Sequence, residues 1–210
     1  MQISKIRPFI QVLFFIIFLW TFISGQTQFW MVFVFLSIIL AGIFGRYYCG
    51  FVCPINTIIH PIQVLKDKTG FSSKNIPNLL KSEKPRLLIM LLFMVGLGIT
   101  VNAMINGSRF PLPIIIISIG VLTTLLSNEN SWHRYLCPWG FLLSITGYFS
   151  KYGLNVTEKC ISCKICENVC PAEAVKVENK QNAEIFKKHC LLCLNCELKC
   201  PTNAITYKKL

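Results

Sequence analysis

Eight of the 11 cysteines fall into two copies of one spacing, Cys160-x2-Cys163-x2-Cys166-x3-Cys170-Pro171 and Cys190-x2-Cys193-x2-Cys196-x3-Cys200-Pro201. Few folds accommodate this pattern. A disulfide framework fits poorly, because the total is odd and the spacing is that of metal ligands. An iron–sulfur cubane wants four thiolates: three close cysteines wrap three corners and a distant one supplies the fourth, which in this spacing comes from the other run. The expected ligand sets are therefore Cys160, Cys163, Cys166 and Cys200 for one 4Fe–4S cluster, and Cys190, Cys193, Cys196 and Cys170 for the second. A pair of zinc sites is the competing reading. Exchange of the fourth ligand staples the two halves together, giving a segment too small for a good core a metal-dependent fold.

The rest of the chain is built differently. Four apolar runs lie at about 8–24, 29–45, 87–106 and 111–127, each near the ~17–25 residues that a spanning helix needs. Over the whole chain 53% of residues are hydrophobic and 14% charged, against roughly 25% charged in a soluble domain. The expectation is an α-helical membrane bundle of four transmembrane helices over residues 1–152, followed by an α+β two-cluster ferredoxin-like domain over 153–210. The first run follows Lys5 and Arg7 like a signal peptide, but its length and the lack of an A-x-A-like site read as a retained helix.

Charge sets the expected topology. The segment Lys66–Arg86 carries Lys66, Lys68, Lys74, Lys81, Lys84 and Arg86 against Asp67 and Glu83, whereas the connections at Gly25–Gln28 and Asn106–Phe110 hold only Arg109. Lys5, Arg7, Arg46, Arg134 and Lys151 fall on the side of the basic segment. The positive-inside bias puts both termini in the cytoplasm of a multi-pass cell-membrane protein, the compartment in which thiolates stay reduced. The net charge of +12 then reads as topology and contact with anionic lipid, and excludes nucleic acid as the natural partner. The spans lack ionisable side chains, which argues against an intramembrane proton relay. Gly96-Leu-Gly98 lies inside a span without the third glycine or strand–turn context of a nucleotide site, and no nucleophile–base pair is visible.

Within the tail, Ala174–Val177 and Ala183–Phe186 read as short strands around a turn at Glu178–Asn182. Ile161, Ile165, Leu191, Leu192 and Leu194 are expected to line the clusters and exclude water, which tunes potential.

A weaker repeat closes each helical hairpin. Arg46-Tyr-Tyr-Cys49-Gly-Phe-Val-Cys53-Pro54 follows the second span and Asn130-Ser-Trp-His133-Arg-Tyr-Leu-Cys137-Pro138 the fourth. Proline favours the first position of a helix, so Cys53 and Cys137 are expected at helix starts, where the dipole and exposed N–H groups favour a thiolate. The repeat predicts Cys49, Cys53, His133 and Cys137 together as a metal or iron–sulfur site at the cytoplasmic membrane face. Cys49 and Cys53 are equally readable as packing residues or acylation sites, and His133 as an interfacial hydrogen-bonding group. His60 and His189 read as structural. Trp132, Tyr135 and Trp139 read as an interfacial aromatic belt, or as flanks for a quinone head group. Asn102 and Asn106 read as helix–helix hydrogen-bonding residues.

Spans ending in Cys-x3-Cys-Pro and joined to a two-cluster tail resemble the NapH, NosR and CcoG group of membrane polyferredoxins. The resemblance implies electron transfer between a quinol pool or cytoplasmic donor and a membrane or extracytoplasmic redox partner, often a flavin- or haem-bearing protein. Two departures stand out: His133 replaces the cysteine that usually begins the second motif, and no flavin-binding domain is visible, so a flavin would belong to a partner. A copper or iron reductase serving cofactor assembly and a non-enzymatic redox sensor are the alternative roles. The sequence leaves open whether the chain turns over a substrate itself.

Overall fold

The computed structural model describes residues 3–70, 83–108, 111–178 and 181–210. The chain is mostly helical and divides into two compact units, one of Met1–Thr57 with Leu142–Leu210, the other of Ile58–Phe141. Lys74, Lys81 and Arg109 of the topology argument, and part of the turn at Glu178–Asn182, lie outside the described residues.

In the first unit, α1 (Ile3–Ile23) and α2 (Thr27–Phe44) run through the first two apolar segments. Phe18 packs edge-on against Trp30 at 5.1 Å, and Trp30 Nε1 donates to the Tyr48 hydroxyl at 3.1 Å. Gly45 ends α2 with φ +79°, and a π-helical turn, Tyr48–Val52, follows. Its i→i+5 bond, Cys53 N–H to Tyr48 O, measures 2.8 Å, and α3 (Pro54–Lys68) starts at once.

The second unit repeats that ending. Helices α4 (Glu83–Ile105) and α5 (Leu112–Leu126) are followed by a single turn, α6 (Glu129–Ser131), and a π-helical turn, Trp132–Leu136. Cys137 N–H donates to Trp132 O at 2.9 Å, and α7 (Pro138–Tyr148) begins with its proline. Lys66 Nζ donates to the carbonyls of Thr124, Leu125 and Ser127 at 2.6–2.9 Å, capping the end of α5 where the dipole is negative.

Two helices are long and apolar enough to cross a membrane, Lys5–Ile23 with mean hydropathy 2.1 and Pro85–Ile105 with 2.4. Only 17% and 6% of these windows are buried. A core helix of a soluble protein would be mostly covered, so these outward rows of Phe, Leu and Ile ask for a lipid solvent. The apolar parts of α2 and α5, Phe29–Phe44 and Leu112–Leu126, are shorter.

The tail, also in the first unit, holds two antiparallel strand pairs. β1 (Tyr152–Val156) pairs with β4 (Ile205–Lys209), Val156 opposite Ile205, and β2 (Val175–Lys176) pairs with β3 (Glu184–Ile185), Val175 opposite Ile185. The β2–β3 hairpin falls within the two stretches expected as strands, Ala174–Val177 and Ala183–Phe186. The outer pair joins the helices: Lys151 N–H donates to Ile43 O at 3.0 Å, the Tyr207 hydroxyl to Phe44 O at 2.9 Å, and Tyr152 stacks between Phe44 and Tyr207. A small core of Leu154, Val175, Val177, Ala183, Leu192, Leu194 and Ile205 fills the space between the pairs.

Candidate metal centres

Strand register decides which cysteines meet. Because Val156 lies opposite Ile205, the chain leaving β1 toward Cys160 passes the chain entering β4 from Cys200. The pairing of Val175 with Ile185 does the same for Cys170 and Cys190. Two cavities result. One is lined by Cys160, Cys163, Cys166 and Cys200, with Ile161, Ile165 and Val177 among its apolar walls. The other is lined by Cys170, Cys190, Cys193 and Cys196, with Leu154, Leu191 and Leu194.

The backbone around both is shaped alike. Ser162 and Lys164 take φ of 55° and 61°, and Leu192 and Leu194, at the matching places in the second run, take 52° and 60°. Glu173 and Asn203, each three residues past the fourth cysteine of its run, take 48° and 50°. Left-handed non-glycine residues cost of order ~1–3 kcal/mol each and persist only where their surroundings impose them. Alternating them with right-handed residues turns successive N–H groups into one concavity, the nest found around anions and iron–sulfur groups. Short helices, α8 (Ile165–Asn168) and α9 (Asn195–Leu198), continue from the loops. Further N–H groups aim at sulfur: Ala174 N to Cys170 Sγ at 3.2 Å, Ala204 N to Cys200 Sγ at 3.3 Å, and Leu192 N to Cys190 Sγ at 3.5 Å.

Among the described residues, no three His, Cys, Asp or Glu side chains converge closely enough to hold a single ion. A structural zinc needs four ligands about 2.0–2.3 Å from one point, whereas a cubane presents its irons at separate corners. Spread thiols around an apolar cavity, with N–H groups directed at sulfur, fit the larger anionic group.

Burial pushes the Cys190 thiol up to about 12 and raises Cys196, Cys170 and Cys166 as well. Cys200 moves the other way: hydrogen bonds from Thr202, Ala204 and Ile205 outweigh its burial and lower it. A metal held here would have to displace protons from most of these sulfurs, which would tie its uptake to proton release.

The lining differs from expectation in two places. Leu192 is buried but turns toward Gly45, where a Cβ would meet its Cδ1 at 2.9 Å, and it is absent from the cavity wall. Ile161 and Ile165 do line the first cavity, yet are 63% and 37% exposed. The Cys160 site thus has exposed apolar residues on its wall, whereas Leu154, Leu191 and Leu194 of the Cys190 site are buried.

The membrane motifs lie one in each unit. In the first, Cys49 is buried in the π-helical turn and Cys53 caps α3, its carbonyl accepting from Thr57 N–H at 3.3 Å. In the second, His133 is buried in its π-helical turn and Cys137 caps α7, with Gly140 N–H aimed at Cys137 Sγ at 3.3 Å. Both cap positions follow from the prolines.

His60 Nδ1 lies 3.0 Å from Glu129 Oε2, a structural pair as expected. Of the aromatic group, Trp132 is 2% exposed in the π-helical turn and so faces protein, while Tyr135 and Trp139 are half-buried, Trp139 edge-on against Phe93 at 4.8 Å. Asn106, just past the end of α4, donates its Nδ2 to Asn102 O at 3.0 Å, and among the described residues this pair makes no bond to another helix.

Sequence reasoning missed Arg7, Arg46 and Gly50. A Cβ on Gly50 would lie 2.7 Å from Leu191 O and 2.8 Å from Leu192 O, so the Cys49–Cys53 turn abuts the Cys190 loop backbone to backbone. Arg7 and Arg46, counted only as topology markers, are buried at that junction. Their signal was chemical: the tail's basic residues are all lysine, and arginine is the cation suited to buried, multi-donor contacts.

A family model described as a 4Fe-4S binding domain matches residues 26–72 and 110–155, and one described as a 4Fe-4S dicluster domain matches 159–205. A methylamine utilization ferredoxin-type protein, MauN of Paracoccus denitrificans, is 27% identical over 158 residues, covering 66% of this chain and 54% of that protein. The ferredoxin-type protein NapH of Haemophilus influenzae is 26% identical over 147 residues, 62% of this chain and 49% of NapH. The chain belongs to the NapH-like polyferredoxin family. An uncharacterized protein of Methanocaldococcus jannaschii is 31% identical over 149 residues, 69% of this chain and 58% of the relative. This NapH-like polyferredoxin thus spans about half of the length of these curated relatives. No solved structure matches it. The first family model's two segments contain Cys49 with Cys53 and His133 with Cys137, and the dicluster model contains both cysteine runs of the tail.

Proposed function

We propose that this polyferredoxin is a membrane-bound electron-transfer protein holding two 4Fe–4S clusters, one on Cys160, Cys163, Cys166 and Cys200, the other on Cys190, Cys193, Cys196 and Cys170. A cubane supplies one-electron chemistry; the chain supplies thiolates, N–H donors, dry walls and a place at the bilayer. The observation that carries the reading is the pair of cavities, each lined by four cysteines drawn from both runs.

Four crossings with both termini in the cytoplasm are proposed from the apolar runs and the Lys66–Arg86 charge bias. On the sequence repeat alone, Cys49, Cys53, His133 and Cys137 are proposed to contribute a further metal or iron–sulfur site at the membrane face. Donor and acceptor are proposed by class, a cytoplasmic or quinol donor and a membrane or extracytoplasmic redox protein. The ferredoxin-type names of MauN and NapH support this reading.

Anaerobic purification with iron and sulfide counting and paramagnetic resonance tests it. About eight irons per chain are expected from the tail, and a surplus would reside at the membrane motifs. Colourless, iron-free protein prepared without oxygen would overturn the reading.

A further inference from the structure

The two cysteine-lined cavities share a backbone design but have different electrostatic surroundings. Arg7 is 6% exposed and Arg46 3% exposed, and both reach the loop that carries Cys190, Cys193 and Cys196. Arg7 Nη1 donates to Cys193 O at 2.9 Å and to Asn195 Oδ1 at 2.6 Å, while its Nε donates to Gly50 O at 3.0 Å. Arg46 Nη1 donates to Lys188 O at 3.1 Å and His189 O at 3.4 Å, and its Nη2 lies 3.8 Å from Cys49 Sγ. Each guanidinium therefore grips the Cys190 loop with one edge and the Cys49–Cys53 turn with another. Arg46 Nε is buried without a hydrogen-bond partner among the described residues.

Neither guanidinium meets a carboxylate among the described residues. A buried cation with no counter-ion is costly. Two of them against one loop imply that something negative belongs there, and a tetrathiolate iron–sulfur group is negative. Neither cavity has an arginine on its wall; the exposed Lys164 lines the Cys160 one, whereas the two buried guanidinium groups sit against the backbone of the Cys190 loop.

We propose that Arg7 and Arg46 are positioning residues that clamp the Cys190 loop to the Cys49–Cys53 turn and selectively raise the reduction potential of the iron–sulfur group that loop holds. This rests on the electron-transfer reading above. Reduction adds one electron and one unit of negative charge, and two buried cations stabilise the added charge more than the exposed, water-screened Lys164 does beside the Cys160 cavity. An added electron is thereby favoured on the side of the tail that abuts the membrane motif.

The test is a redox titration of the full-length protein in detergent, with dithionite as electron donor and paramagnetic resonance as readout. Arg7→Gln and Arg46→Gln should each disfavour reduction of one cluster by about tenfold, which is ~59 mV for a one-electron couple, and leave the other unmoved. Cys163→Ser identifies the unmoved cluster as the Cys160 one. Arg7→Lys, which keeps the charge, should shift less than Arg7→Gln at equal iron content. Loaded variants in which neither potential moves, both move together, or the Cys160 cluster moves would overturn the assignment. So would loss of iron in all three variants, Arg7→Lys included, because the arginines would then be purely structural. Iron-free wild-type protein would instead refute the electron-transfer reading itself.

Discussion

Gly50 and Leu191 touch backbone to backbone: a Cβ on Gly50 would stand 2.7 Å from the Leu191 carbonyl oxygen. This contact joins the π-helical turn after α2 to the loop carrying Cys190 and Cys193. The obstruction is main chain on the tail side, so no rotamer change relieves it.

Gly50→Ala should therefore loosen the tail from the helices, at the ~1–3 kcal/mol typical of overpacking. Faster amide exchange across residues 188–196 with retained helix content is the expected readout. Gly98→Ala, where a Cβ meets nothing within 4 Å, should be neutral or slightly stabilising, since alanine gains roughly 1 kcal/mol over glycine in a helix. Equal behaviour of the two variants would remove the close approach as a constraint.

The crossed cavities make a second prediction. Cys200→Ser should perturb the same paramagnetic signal as Cys163→Ser, and Cys170→Ser the same one as Cys193→Ser, although each pair spans both halves of the tail. Ligation within each contiguous run would couple Cys170 with Cys163 instead. Double variants distinguish the two schemes: Cys163→Ser with Cys200→Ser should leave one cluster intact, whereas Cys163→Ser with Cys170→Ser should damage both.

Much of this was legible in the residues. The cysteine spacing predicts the two sets that line the cavities, because the ligand pattern is local and the exchange follows from it. The Cys-Pro pairs predict the starts of α3 and α7, because proline's fixed φ and missing N–H suit the first helical position. The β2–β3 hairpin lies within the two short stretches that read as strands around the turn. The β1–β4 pair was not visible, since Tyr152–Val156 sits against the end of α7 and its partner lies about fifty residues away; only tertiary pairing defines it. Trp132 misled for a related reason. Next to an apolar span its ring suits an interface, but an i→i+5 turn rotates it into protein. The Arg7 and Arg46 contacts were hidden because each donates mainly to backbone carbonyls, which carry no sequence signature.

Lys66 offers a test of the capping role. Its ammonium satisfies carbonyls at the end of α5 that would otherwise lack donors. Lys66→Met, which keeps the stem and removes the charge, should destabilise the protein by about 1–2 kcal/mol if the partly buried geometry reaches the upper end for helix-terminal cations. Lys68→Met serves as the comparison, and a denaturation midpoint no lower for Lys66→Met than for Lys68→Met would show that the cap contributes nothing.

The membrane motifs supply the last prediction. Cys53 and Cys137 occupy equivalent cap positions after π-helical turns, and neither lines a tail cavity. Cys53→Ser and Cys137→Ser should therefore leave both tail signals unchanged in shape and intensity. If the motifs carry electrons onward, reoxidation of the dithionite-reduced protein in membranes by an added quinone should slow at least tenfold in both variants. Serine keeps the volume and the helix cap, so slower transfer with normal stability isolates the sulfur. Unchanged reoxidation in both variants would reduce Cys53 and Cys137 to packing residues and leave the tail to exchange electrons without them.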